Sequence, residues 1–295
     1  MGVGVQTDFI AGQPVDVGSG GIKVQRVLGR NAGPMTGPGT NSYLIGERRL
    51  AILDPGPADS QHIDRLLELI DGRQVEAIFV THTHGDHSPG TALLQAVLNT
   101  EIIGLAPPQG SGQDPSFRPT RLYKNGERIH CSEFTMSLLH TPGHVSNHLC
   151  FLLEEEQMLF TGDHILEGTT PVILPPDGNM RHYLDSLKVL QSLPLRYLAP
   201  AHGRVMDKPE LVIETLRRHR MRREQKTLSV VTERNRTHGA STLQELALGV
   251  YDDVPSHLLP WAERTLLAHL LKLAEDGAVV CQNERWQLAE SFRND

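Results

Sequence analysis

The period of the apolar positions changes several times along the chain, and each change marks an element. Between Ile22 and Leu53, short apolar runs alternate with Gly, Pro and Asn, the pattern of strands joined by turns. Asp59-Ser60 can cap a helix whose apolar face is Ile63, Leu66, Leu67 and Ile70. Val75 to Val80 is an unbroken apolar run of strand length. A short helix is expected over 91–98. Residues 106–120 hold four of the 19 prolines and read as a long loop, a natural part of a substrate cleft. From 121 to 160 the alternation resembles hairpins, with Lys124-Asn125-Gly126-Glu127 as a turn. Helical spacing returns at Tyr183, Leu184, Leu187 and Leu190. This mixture fits α+β or α/β, and periodicity alone does not choose between them.

Residues 209–236 read as one long helix opening at Pro209, a favoured first position. Arg217, Arg218, Arg220, Arg222, Arg223 and Lys226 make its middle basic. Glu214 with Arg218, and Arg220 with Glu224, are spaced for i,i+4 contacts, so a solvated, self-paired face is expected ahead of a phosphate-binding or subunit-docking stripe. Ser241-Thr242 can cap a helix bearing Leu243, Leu246, Ala247 and Val250. A second helix carries Leu266, Leu267, Leu270, Leu271 and Leu273 as core positions and stops at Gly277. Ala278-Val279-Val280 and Trp286-Gln287-Leu288 then form a hairpin around Asn283-Glu284. Helix, helix and β-wing is the winged-helix order. The division expected is a flexible arm over 1–21, a large domain over 22–239 and a winged-helix-like domain over 240–295.

One stretch carries most of the chemistry. Residues 81–87 read Thr-His-Thr-His-Gly-Asp-His, so His82, His84, Asp86 and His87 follow directly on the apolar run 75–80. Imidazole and carboxylate are the donors that zinc, iron and manganese take. Three further segments repeat the plan of strand, Gly or Pro turn, then ligand: Thr-Pro-Gly-His at His144, Thr-Gly-Asp-His at Asp163 and Pro-Ala-His-Gly at His202. Four such segments in one chain mark a metal site.

These residues resemble the metallo-beta-lactamase superfamily, over about residues 22 to 240, with Ile52-Leu53-Asp54-Pro55-Gly56 matching an early strand and turn. Asn31-Ala32-Gly33-Pro34-Met35-Thr36, Gly39-Thr40-Asn41-Ser42-Tyr43-Leu44 and Glu167-Gly168-Thr169-Thr170 are most similar to the lactamase-like endoribonuclease branch with a C-terminal winged helix. The resemblance implies a four-layer αββα sandwich and two metal ions, with zinc first and manganese or iron as substitutes. His82, His84 and His144 would hold one ion and Asp86, His87 and His202 the other. Asp163 and a hydroxide would bridge them, with Asp86 and Asp163 catalytic. The penicillin-destroying enzymes carry a cysteine ligand, and Cys150 lies six positions past His144, which disfavours a lactam substrate.

Two close cations make hydroxide available near neutral pH. A hydrolase is therefore expected, and the branch resemblance favours single-stranded RNA. The alternative is a thioester, ester or lactone, as in hydroxyacylglutathione hydrolases. A redox enzyme with iron in the same cage is a different class, and a nucleic-acid-binding regulator a third. No Gly-x-Ser-x-Gly elbow, dinucleotide loop or Walker loop is present.

Composition narrows the partners. The formal charge is −7, and the 240–295 segment has four cations against nine acids. Duplex binders need several cationic phosphate contacts, so packing, homodimerisation or a cleft wall suits this tail better than specific DNA reading. Apolar stretches fall short of the ~20 residues of a membrane span, and the start lacks a signal pattern, so no membrane partner and a cytoplasmic location are expected. Cys131, Cys150 and Cys281 read as thiols. His148 and His164 read as core or ligand-supporting histidines, and Asp54 as orienting a turn or ligand loop. Thr40, Asn41, Thr169 and Thr170 either line the cleft or hold turns.

Overall fold

The computed structural model describes residues 9–255 and 258–292. The start of the arm (1–8) and the terminal Arg293 and Asp295, counted in the charge balance above, lie outside the described residues. The chain divides into two compact units.

The first unit comprises residues up to 141, then 147–171 and 192–210. One of its sheets has six strands in chain order: β1 (Pro14–Val17), β2 (Val24–Leu28), β3 (Asn41–Ile45), β4 (Arg49–Leu53), β5 (Gln74–Phe79) and β6 (Glu101–Ile103). The first four pair antiparallel, and β4, β5 and β6 run parallel. The other sheet has the order β11-β10-β9-β8-β7, from β7 (Arg128–His130), β8 (Thr135–His140), β9 (Leu149–Leu153), β10 (Met158–Gly162) and β11 (Tyr197–Pro200). The sheets meet through Tyr43, Ile45, Leu53 and Phe79 on one side and Phe134, Leu138, Phe151 and Phe160 on the other. Tyr43 meets Phe160 edge to face at 5.0 Å, as Phe79 meets Phe151 at 5.1 Å. The opposite face of the six-stranded sheet packs Val27, Leu44, Ile52 and Ile78 against α1 (Ser60–Ile70), through Ile63, Leu66 and Ile70. Asp59 caps α1 by accepting from the Gln61 amide, and Asp71 closes it in the left-handed region. Both faces of β3 are covered, which explains its unbroken burial.

Three local readings are corrected. Residues 14–17 are not loose: they form the edge strand β1, Pro14 opposite Val27. The turn at 124–127 forms, with Gly126 at φ 78°, but it leads into β7 rather than joining a hairpin. The helix α2 spans Gly90–Gln95, ending before the expected 98.

The second unit comprises 142–146, 172–191 and 211–295. It holds α3 (Met180–Gln191), most of α4 (Pro209–His238), α5 (Leu243–Val250), α6 (Leu259–Glu275), β12 (Val279–Gln282) and β13 (Arg285–Leu288). Thr242 and Glu245 form a capping box for α5. Asn283 and Glu284 at φ 50° and 61° make the tight turn of the wing. Val231 of α4, Leu246 and Val250 of α5, Leu266, Leu270 and Leu273 of α6, and Trp286 and Leu288 of the wing form its core. Leu271, expected in the core, is exposed.

The basic face of α4 is paired with acids. Glu214 accepts from Arg217 and Arg218, Asp253 accepts two bonds from Arg223, and Lys226 donates to Asp252. Arg220 and Glu224 each have a neighbour that spacing did not announce. Arg220 is buried with its guanidinium over Tyr183, and Glu224 takes Lys272 at 2.7 Å. Sequence spacing defines which groups are near, not which partner is nearer. Among the described residues no helix is long and apolar enough to cross a membrane.

Candidate metal centre

Six of the seven expected ligands converge within the first unit. β5 ends at Phe79, and the loop after it delivers His82, His84, Asp86 and His87, with His82 and His87 fully buried. Asp163 follows β10, and a bulge between Phe160 and Gly162 redirects the chain just before it. Gly162 is at φ 48°, and a Cβ there would lie 2.7 Å from both Thr81 Oγ1 and His148 Nε2, so only glycine fits. β11 ends at Pro200, and His202 follows it. The seventh ligand, His144, lies in the five-residue segment 142–146, which packs with the second unit. There its Nδ1 is 2.7 Å from the Val172 carbonyl.

The donors fall into two adjoining groups. His82 Nε2 is 2.9 Å from His84 Nδ1 and 4.0 Å from Asp163 Oδ2. Asp163 Oδ1 is 3.2 Å from His202 Nε2 and 3.6 Å from His87 Nε2. Asp86 Oδ2 is 3.4 Å from both His87 Nε2 and His202 Nε2. Asp163 thus faces each group with a different oxygen. His87 Nε2 is buried and faces the Asp86 and Asp163 carboxylates, a ring nitrogen turned to where a cation would sit.

Outer partners set the His87 and His202 rings. The buried Asp54 accepts from the Thr81 amide and hydroxyl, both at 2.7 Å, and lies 2.9 Å from His87 Nδ1. Asp54 therefore orients the ligand loop, as expected, and keeps the Nε2 lone pair of His87 inward. The Gly39 carbonyl sits 3.1 Å from His202 Nδ1 and has the same effect. Thr40 Oγ1 donates to Asp86 Oδ2 at 2.9 Å. Asn41 ties the His202 loop down through the Pro200 and Gly203 carbonyls. Thr83, between two ligands, donates to Gln113 and accepts from Asn147. Sequence reasoning assigned no role to Gln113 or Asn147 and left Thr40 open. The marker for Thr40 was its place in Gly39-Thr40-Asn41. His148 and His164 are fully buried behind the ligands, with the His148 ring 5.3 Å from His82.

Electrostatics fit a cation. Burial opposes ionisation of Asp163, yet His202 and His87 hold its carboxyl well below the usual range. Burial likewise opposes charge on His87, but Asp86, Asp163 and Asp54 raise it well above an ordinary imidazole. Protons on imidazoles thus offset a local excess of carboxylate that divalent ions would offset instead. Burial pushes the Cys150 thiol up to about 12, which suits a packing role and not a nucleophile.

Residues 35–202 match the metallo-beta-lactamase superfamily. The chain belongs to that superfamily. Residues 242–286 of this lactamase-superfamily hydrolase match the beta-lactamase associated winged helix domain. It is 34% identical over 281 residues to the lactamase-like protein aptB of Emericella nidulans, covering 87% of this chain and 82% of the relative. It is 33% identical over 267 residues to an atrochrysone carboxyl ACP thioesterase of Aspergillus chevalieri, with the same coverage. A beta-lactamase domain protein from Burkholderia ambifaria superposes with a TM-score of 0.76 at 19% identity, over 96% of each chain, a likeness of fold. The α+β fold with a C-terminal winged helix therefore stands as expected.

Proposed function

We propose that this enzyme is a dinuclear metal-dependent thioester hydrolase acting on an acyl group carried as a thioester. The observation that carries the reading is Asp163, which faces one ligand group through Oδ2 and the other through Oδ1. His82, His84 and His144 would hold one ion, Asp86, His87 and His202 the other, with Asp163 between. Its tether supports His144, since Thr141 and Asn147 on either side of its segment both belong to the first unit. Zinc suits nitrogen and oxygen donors of this kind.

Divalent ions held there would lower the pKa of water and polarise a carbonyl. The side chain of Asp86 is 24% exposed against 13% for Asp163, so Asp86 is the better placed to take the proton of the attacking water. A thiolate, from a thiol of pKa about 8.5, leaves without being protonated, so nucleophile and oxyanion stabilisation suffice. The relative named as a thioesterase supports this substrate class. Single-stranded RNA, favoured by the branch resemblance, has weaker support, because acids occupy much of the basic face of α4.

The test is thiol release from acyl-thioesters by zinc-loaded protein, with single-stranded RNA and lactones in parallel. Thioester turnover that chelation and Asp163→Ala both remove is expected. RNA cleavage without thioester turnover would overturn the substrate assignment.

A further inference from the structure

Outer partners hold all three members of the second ligand group, and two of those partners are adjacent in sequence. The Gly39 carbonyl holds His202, and the Thr40 hydroxyl holds Asp86. Thr40 is 1% exposed and directly precedes β3, whose Asn41 amide bonds the Ala201 carbonyl at 2.7 Å. The anchor is therefore fixed directly beside the sheet.

The direction of the Thr40 proton can be deduced. Asn31 Nδ2 donates to Thr40 Oγ1 at 2.9 Å, so the hydroxyl's own proton is left for Asp86 Oδ2, also at 2.9 Å. Asn31 is itself locked, because its Oδ1 accepts the Thr40 amide at 2.9 Å. Gly29 leaves room for this ring: a Cβ there would sit 2.9 Å from Asn31 Oδ1. Thr36 Oγ1 closes the turn by donating to the Asn31 carbonyl. Asp86 Oδ2 is the oxygen that lies 3.4 Å from the ring nitrogens of both His87 and His202. A hydroxyl on that oxygen fixes the rotation of the carboxylate and leaves its remaining lone pair towards the two imidazoles.

We infer that Thr40, oriented by Asn31, is a positioning residue that presets Asp86 for the second cation, an inference that rests on the dinuclear reading above. It acts on one ligand group alone. His82 has a different outer contact, Thr81 Oγ1 at 3.1 Å from its Nδ1.

The experiment measures zinc binding to the metal-stripped full chain by chelator competition and native mass spectrometry. It compares wild type with Thr40→Val, Thr40→Ser and Asn31→Ala. Thr40→Val should weaken one site by about 10–100-fold and leave the other unchanged. Thr40→Ser keeps the hydroxyl and should restore it, while Asn31→Ala should fall between. Urea midpoints of the metal-free forms separate positioning from folding. Equal weakening of both sites with a lowered midpoint means a structural role and overturns the inference. So does a Thr40→Val protein that holds two ions as wild type does, or a serine variant that fails to rescue. A wild type holding fewer than two ions sinks the dinuclear reading, and this inference with it.

Discussion

Asp54→Asn tests the tautomer argument on which the second ligand group depends. Asp54 is fully buried and accepts at both oxygens: Thr81 N–H at Oδ1, and Thr81 Oγ1 and His87 Nδ1 at Oδ2. A carboxamide has nearly the same volume but only one accepting atom. With its NH2 towards Thr81 N–H, two donors collide. With its NH2 towards His87, Nδ1 must accept, and the imidazole proton moves to Nε2, the nitrogen that faces Asp86 and Asp163. The second orientation costs less in folding and more in function. Losing a hydrogen bond to a charged group costs about 1.5–3 kcal/mol, so the metal-free variant should unfold at lower urea but remain folded. Zinc affinity at one site should fall by about 10–100-fold, equivalent to about 1.4–2.8 kcal/mol. Urea denaturation of the stripped protein and chelator competition read the two effects separately. Two zinc ions bound within twofold of wild-type affinity would refute the reasoning.

Asp163→Ala and Asp86→Ala should each lower thioester turnover by more than the roughly 100-fold typical of losing an outer partner, with near-native circular dichroism; near-wild-type rates in either would remove the mechanism. The second unit should lose stability in acid. His269 is fully buried beside Glu224, Lys272 and Arg220, and burial holds its pKa below 6.5. The unfolded chain then takes up more protons below about pH 6.5, and stability falls with pH. The lowered pKa of Glu224 has the same sign below 4.5. Tryptophan-detected unfolding at pH 7.5 and 5 checks this, and a His269→Gln variant should show a flatter dependence. A thiol reagent should label the exposed Cys281 rapidly and spare Cys131 and Cys150, both pushed up to about 12 by burial; three fast equivalents would contradict the packing. Gln113→Ala should raise KM more than it lowers kcat, because Gln113 fastens the 106–120 loop to Thr83; an unchanged KM would separate that loop from the substrate.

The candidate ligands were legible because the 81–87 stretch follows directly on an apolar run, and His144, Asp163 and His202 each follow such a run and a glycine or proline, so position and chemistry coincide in a few residues. Helix starts were legible for the same local reason: Asp59 and Thr242 cap their own helices. Long-range polar contacts leave no such trace. Thr40 and Asp86 are separated by 46 residues, and Thr83 and Asn147 by 64, so no local spacing could announce either bond. Edge strand β1 was hidden by the glycines around it, and its pairing is decided by β2. Arg220 looked like a surface cation because composition says nothing of Tyr183 beneath it. The sheets' handling of the site was thus readable in outline, and the anchoring of the ligand rings was not.

That anchoring bears on how metal and fold are coupled. In small zinc modules the ligands converge only when the ion binds, and binding energy becomes folding energy. Here Asp54, Gly39 and Thr40 hold His87, His202 and Asp86 in place through groups at sheet margins. The core that supports those margins contains no ligand: it is built from the aromatic and aliphatic contacts between the sheets. Ion binding therefore meets a largely preformed site, and its cost is mainly electrostatic. Protons that the carboxylates draw onto His87 and His202 must leave as cations arrive. Zinc uptake should accordingly release protons and strengthen as pH rises, while the metal-free protein keeps its fold.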